Sequence, residues 1–191
     1  MSTVTPPRSV AVLDSAVTWT HSCLQLARVS PLDRPTPCRD WDLGQLLLHM
    51  DESLVALAEA AELGQVSVDP RSGTPDSGDL VDRLVQRACR TQAAWQRRLT
   101  SAPMAVGDLT LGRDTVALVG ALEIAVHGWD VAVATGHPRP LPGDLALQLH
   151  AVALAVVTPE ERAHRFGPAL AVPPGASPGT RLLAHLGRAR T

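Results

Sequence analysis

Three residues of types that do chemistry sit at helical spacing in ALEIAVHGWDVAVATG, residues 121–136. Glu123 and His127 are four apart, and Asp130 lies three further on. On an α-helix those offsets bring the side chains to one side. Leu122, Ile124, Val126 and Val131 are their neighbours, so this side should be largely buried, and a carboxylate and an imidazole placed there need partners. His49, within LLLHMDESL, offers a third ligand from a separate segment. It adjoins the apolar Leu46 and Met50, and its helical flank of Gln45, Ser53 and Ala56 is small or polar. Gly120 and Ala134 fall near the same face as the trio and are expected to leave space beside it.

Two imidazoles and one carboxylate suit Zn²⁺, with ligand bonds of roughly 2.0–2.2 Å, and three protein ligands keep a position for water or substrate. The same set suits non-haem Fe(II) or Ni²⁺. Asp130, one turn beyond His127, is placed to accept an imidazole N–H and orient the ring. The plainer reading is that each histidine is a core residue satisfied by a hydrogen bond. The other histidines give less. His21 reads as a surface residue, His137 follows Gly136 in a turn, and His150, His164 and His185 have no partner at ligand spacing. Trp41 and Trp129 suit either a pocket wall or a packing anchor. Cys38 reads as a loop filler, with Arg39 the nearest cation in sequence. GxSxG, Walker and GxGxxG motifs are absent, which leaves serine-hydrolase and nucleotide chemistry without a foothold.

These candidates need elements to hold them. Val10, Leu13, Val17, Thr20, Leu24 and Ala27 recur at helical spacing and predict a helix over 8–29. SPLDRPTPCRDW, 30–41, is a proline-punctuated loop, and Asp42 reads as the N-cap of a second helix that ends near Gly64. Residues 65–78 read as a polar linker, and a third helix is expected over about 79–100. A loop over 101–115, with an extended piece at 108–111, leads into a fourth helix over 113–135, stopped by Gly136 and Pro138. A fifth helix over 143–157, an irregular arm over 166–179 and a short last helix over 178–187 complete the chain. The expected architecture is all-α: a four-helix bundle with extra short C-terminal helices and an irregular C-terminal arm, one domain spanning 1–191. Bundles build metal sites in the core from side chains on facing helices.

Bulk properties narrow the partners. With 45% hydrophobic residues the chain is not a disordered polymer. A net charge of −2, without one lysine or any basic run, argues against nucleic acid and anionic membranes. Three cysteines, Cys23, Cys38 and Cys89, with no CxxC pair, argue against a disulfide framework and for a reducing cytoplasm. The N-terminus has no signal-peptide pattern, and no run of about 18 uninterrupted apolar residues predicts a membrane span.

Taken together the motifs are familiar. TPCRDWDLGQLLLHM resembles the TPC-x-x-W…L-x-x-H opening of the actinobacterial branch of the DinB/YfiT-like superfamily. ALEIAVHGWDVAVATG resembles its E-x-x-x-H-x-W-D-x-A-x-A-T-G segment, and FGPALAVPPGASPGTRLLAHLGR its C-terminal arm and closing helix. The chain is similar, over about residues 10–187, to the N-terminal metal-binding domain of mycothiol-dependent maleylpyruvate isomerases. That resemblance implies a four-helix bundle holding a divalent metal, usually zinc, through His49, Glu123 and His127. Glutamate at position 123, where many branches carry a second histidine, favours the mycothiol branch.

The isomerases add a C-terminal domain that contributes to substrate binding and catalysis. The 191 residues here end in the short arm, so the expectation is a stand-alone bundle acting on another electrophile. The resemblance implies a metal-dependent transferase or isomerase that activates a low-molecular-weight thiol such as mycothiol against a small electrophile. Asp130 would orient or tune a ligand, and Trp41, Trp129 and the arm around Phe166 would shape the cleft. Pairing into a homodimer through a bundle face fits the same picture. The alternatives are a non-catalytic metal-binding bundle, as sensor or partner protein, and a two-His-one-carboxylate iron enzyme.

Overall fold

A computed structural model describes residues 7–38, 40–66, 80–97 and 102–188, without the side chains of residues 163 and 164. The linker expected over 65–78 lies, beyond Val66, outside the described residues, as do Arg39 and residues 79 and 98–100 of the expected third helix.

Four long helices form the body: α1 (Arg8–Ala27), α2 (Leu43–Leu63), α3 (Leu80–Arg97) and α4 (Arg113–Ala134). α1 and α2 each pack along both α3 and α4. α4 and α3 both lie between α1 and α2, which closes a four-helix ring around one apolar core. The chain is therefore an all-α bundle, as its periodicity predicts. α5 (Gly143–Val156) packs on α4, α7 (Pro178–His185) packs on α5, and α6 (Pro159–Arg165) lies between α5 and α7 in the chain. A small sheet caps the bundle. β1 (Gln65–Val66) runs parallel to β2 (Met104–Val106), with Gln65 beside Ala105, and β2 runs antiparallel to β3 (Leu109–Leu111).

Local chemistry sets the ends of the helices that matter for the site. The Asp42 carboxylate accepts the Gln45 N–H at 2.8 Å while the Gln45 side chain accepts the Asp42 N–H at 2.9 Å, a reciprocal cap. The Gly44 N–H donates to Leu32 O at 2.8 Å and the Leu43 N–H to Arg34 O at 2.9 Å, so the proline-rich loop is fastened to the start of α2. Gly64 ends α2 with φ of 73°, a conformation that glycine adopts at no steric cost. α6 has the signature of a short helix: the Thr158 hydroxyl accepts the Glu161 N–H, Pro159 stands first, and Glu160 and Glu161 fill the first turn.

α4 is the core helix. By length and composition it is apolar enough to cross a membrane, but 72% of its most apolar window is buried inside the protein. Two glycines let its neighbours approach. A Cβ on Gly128 would lie 2.5 Å from Thr20 Oγ1 on α1, whose hydroxyl donates to Ile124 O at 3.0 Å. A Cβ on Gly120 would lie 2.3 Å from Leu57 Cδ2 on α2. The space expected beside the trio at Gly120 is thus filled by Leu57. The missing side chain serves helix packing, and no opening results.

Candidate metal centre

α4 carries Glu123, His127 and Asp130, and α2 presents His49 toward them. His49 Nε2 lies 2.6 Å and His127 Nε2 3.2 Å from the same oxygen, Glu123 Oε1. The three residues offer ligand atoms within 4.8 Å of one another, an arrangement able to hold a metal ion. The two imidazole rings stand nearly perpendicular, at 84°, with centroids 5.0 Å apart.

Zinc bonds of about 2.0–2.2 Å in tetrahedral array put neighbouring ligand atoms roughly 3.3 Å apart. The His127–Glu123 separation already has that value. The shorter His49–Glu123 contact is a charge-assisted hydrogen bond, with the imidazole donating. The donor set, its spacing and its convergence on one carboxylate oxygen suit a divalent cation.

The centre has an open and a closed side. The side chains of His49 and Glu123 are 30% and 29% exposed, whereas those of His127 and Asp130 are 10% and 0% exposed. On the closed side His127 Nδ1 lies 3.0 Å from Asp130 Oδ2. A proton on Nδ1 donated to that carboxylate leaves the Nε2 lone pair facing Glu123 and His49, as metal-binding histidines require.

Electrostatics follow from this packing. Burial alone would raise the Glu123 carboxyl, but the charge of His127 and hydrogen bonds from His127 and His49 hold it well below the usual carboxylate range. Burial opposes charge on His127. The neighbouring Glu123, with hydrogen bonds to Asp130, Cys38 and Glu123, outweighs it and lifts this imidazole well above its ordinary value. Asp130, also penalised by burial, is kept low by the adjoining Arg188 guanidinium. Without metal, then, a proton holds the carboxylates and the imidazole together, and a divalent cation would displace it.

The loop before α2 supplies the wall. The Thr36 hydroxyl accepts the Cys38 N–H at 3.1 Å and lies 3.0 and 2.8 Å from the carbonyl oxygens of Cys38 and Trp41. This folds the TPC-x-x-W loop so that Trp41 leans on His49, with ring centroids 4.6 Å apart, and reaches within 6.0 Å of His127. Trp129 is instead buried against the core and borders a groove with Pro138, Leu141 and Leu183. Phe166 caps α6 and packs against the core.

Two residues at the centre were not legible as participants. Cys38 lies 3.3 Å from Asp130 Oδ2 and 3.8 Å from His127 Nδ1. Arg188, in the segment after α7, donates through Nε to Asp130 Oδ1 at 2.8 Å and through Nη2 to Oδ2 at 2.7 Å. Among the described residues the cation near Cys38 is Arg188, with Nη2 at 3.5 Å from Sγ. The structure also pairs two histidines that the spacing left apart: His150 of α5 and His185 of α7 have ring centroids 5.8 Å apart. His21 meets Gln25 on an exposed surface, and His137 Nδ1 contacts Thr135 O within its turn. The side chain of His164 lies outside the described set.

Residues 16–132, more than half of the chain, match the model of the mycothiol maleylpyruvate isomerase N-terminal domain. Two uncharacterized proteins of Mycobacterium tuberculosis, from strains CDC 1551 and H37Rv, are each 28% identical over 169 residues, covering 84% of this chain and 87% of their own length. No solved structure matches the chain. The matched segment contains α2 and nearly all of α4, and with them the whole His–Glu–His cluster, so the chain belongs to the family of mycothiol maleylpyruvate isomerase N-terminal domains.

Proposed function

We propose that the protein is an enzyme that binds a divalent metal, zinc first among the candidates, through His49, Glu123 and His127, and activates a low-molecular-weight thiol against a small electrophile. The observation that carries this reading is the convergence of two imidazole Nε2 atoms from facing helices on one Glu123 oxygen, with one side of the cluster open.

A bound divalent cation would stabilise the anion of a thiol near neutral pH, and the thiolate is the nucleophile. The chain's own residues prepare for that. Asp130 orients His127. Glu123 and His49 face solvent enough to admit a small molecule. Trp41 forms an aromatic wall beside His49 on which an apolar electrophile can rest. Family membership favours mycothiol as the thiol, with transfer or reversible addition and isomerisation as outcomes. Three unpaired cysteines suit the reducing cytoplasm in which such a thiol circulates.

A bundle that merely stores metal would fill the coordination shell with protein. Among the described residues the His–Glu–His grouping has three members, which favours an open coordination position.

The test is metal analysis of purified protein, followed by incubation with mycothiol-containing cell extract and mass spectrometry for new thioethers. About one equivalent of zinc and thiol-dependent product formation are expected. Iron as the bound metal, with oxygen uptake and no thiol requirement, would transfer the site to oxygenase chemistry.

A further inference from the structure

We infer that Arg188 is a positioning residue for the metal centre, acting through Asp130 on His127, so that the segment after α7 completes a site whose ligands lie on α2 and α4. This rests on the metal reading above. Asp130 has no exposed side-chain surface, and both of its oxygens are engaged. Arg188 takes Oδ1 through Nε and Oδ2 through Nη2, at 2.8 and 2.7 Å, the two-pronged geometry that fixes a carboxylate's rotation as well as its position. Oδ2 also meets His127 Nδ1 at 3.0 Å and the Cys38 thiol at 3.3 Å.

The guanidinium is itself held. Its side chain is only 10% exposed, and Nη1 lies 3.5 Å from Leu186 O while Nη2 lies 3.5 Å from Cys38 Sγ. Cys38, His127 and Asp130 also offer ligand atoms within 4.8 Å of one another. Arg188 contacts two of those three residues, so a cation already fills that second position, and metal is directed to the Nε2 side of His127.

The chain of contact has one consequence for metal binding. A carboxylate locked by Arg188 accepts from His127 Nδ1 in one orientation, which presents Nε2 to Glu123 and His49. Without the fork, His127 and Cys38 are the partners left to orient the carboxylate among the described residues, and the ring it steadies gains freedom. Loss of outer supports of this kind costs about 10–100-fold in metal affinity.

The experiment is a double-mutant cycle on the full chain, read as zinc affinity by chelator competition, with Co²⁺ absorption reporting ligand geometry. Arg188→Gln should weaken zinc binding at least about 10-fold in the native background. In the Asp130→Asn background the same substitution should change affinity less than about twofold, because the route to His127 is already cut. A residue that only staples the C-terminus would lower the melting temperature without this dependence on Asp130. Should Arg188→Gln fail to fold, Arg188→Lys in both backgrounds replaces it. Lysine keeps the charge and loses the fork, so affinity should fall several-fold with Asp130 present and stay level in D130N. Wild-type protein that binds zinc while Arg188→Gln and Arg188→Lys bind it equally well overturns this inference alone. Equal losses in both backgrounds also overturn it. Wild-type protein that binds no zinc overturns the metal reading and this inference with it.

Discussion

Among the described residues two pairs of facing imidazoles behave in opposite ways. His49 and His127 have centroids 5.0 Å apart, and His150 and His185 have centroids 5.8 Å apart. The first pair shares a carboxylate oxygen, and Asp130 backs one ring. At the second pair His150 answers to the neighbouring His185 and Arg181, both of which disfavour positive charge there. The buried Nε2 of His185 has no hydrogen-bond partner among the described residues. Accordingly His127 is lifted well above the ordinary histidine value, while His150 is lowered, first by burial and then by those neighbours. Two histidines in proximity are common to both pairs. The shared anion sets the first apart.

The comparison can be broken at the anion. Glu123→Gln leaves His49 and His127 facing each other across a neutral amide, close to the condition of the second pair. Zinc affinity should fall by more than the roughly 10–100-fold expected for losing an outer support, because a ligand is gone. His49→Ala should have a similarly large effect with a helical circular dichroism spectrum retained, since His49 is half-buried and, among the described residues, its side chain hydrogen-bonds to Glu123 alone. Full zinc occupancy in either variant would remove that residue from the centre.

Next in size is Asp130→Asn. Zinc binding should weaken by about 10–100-fold, as the amide keeps the shape of the support but not its charge. Stability should fall too. Arg188 would remain buried without its counter-ion, and breaking a buried pair by removing one partner costs about 3–5 kcal/mol. Thermal melts of the metal-free protein separate this cost from the change in affinity. A variant as stable as the native chain would mean that the pair carries little of the fold.

The two pairs also mark what sequence can disclose. Glu123, His127 and Asp130 share one helix, so their neighbourhood is written in offsets of four and three, and the Asp42 cap and Gly136 stop fix that helix and its partner. His49 was legible because α2 is strongly periodic and the motif pairs it with Glu123. Arg188 and Cys38 were not. Their contacts with Asp130 span 58 and 92 positions, and helical periodicity carries no information across such gaps. The same holds for His150 and His185, which meet only because α7 folds back on α5. Gly120 shows a different failure: an absent side chain reads as space, yet tight helix packing fills it with Leu57. The strands of β1 and β2, two and three residues long, are too short to show alternation. α6 was missed although T-P-E-E is a sound start signal, because its seven residues have no apolar stripe.

The smallest expected effect is at the second pair. Removing both rings in a His150→Gln/His185→Gln variant should leave zinc stoichiometry and affinity unchanged, since no carboxylate among the described residues groups with them as a ligand. It should still alter the response to acid. His150 in the native state titrates below its ordinary value of about 6.5, so between those two values the unfolded chain binds the proton that the folded chain refuses. Stability contributed by the neutral ring is therefore present above about pH 6.5 and is lost as pH falls toward the native titration point. His150→Gln alone should flatten this part of the profile. The difference in melting temperature between variant and native protein should shift in the variant's favour from pH 7 to below pH 6. A difference that stays constant with pH would show that burial and His185 leave His150 no less basic than a histidine in the unfolded chain. The contrast between the two pairs would then rest on the Glu123 carboxylate alone.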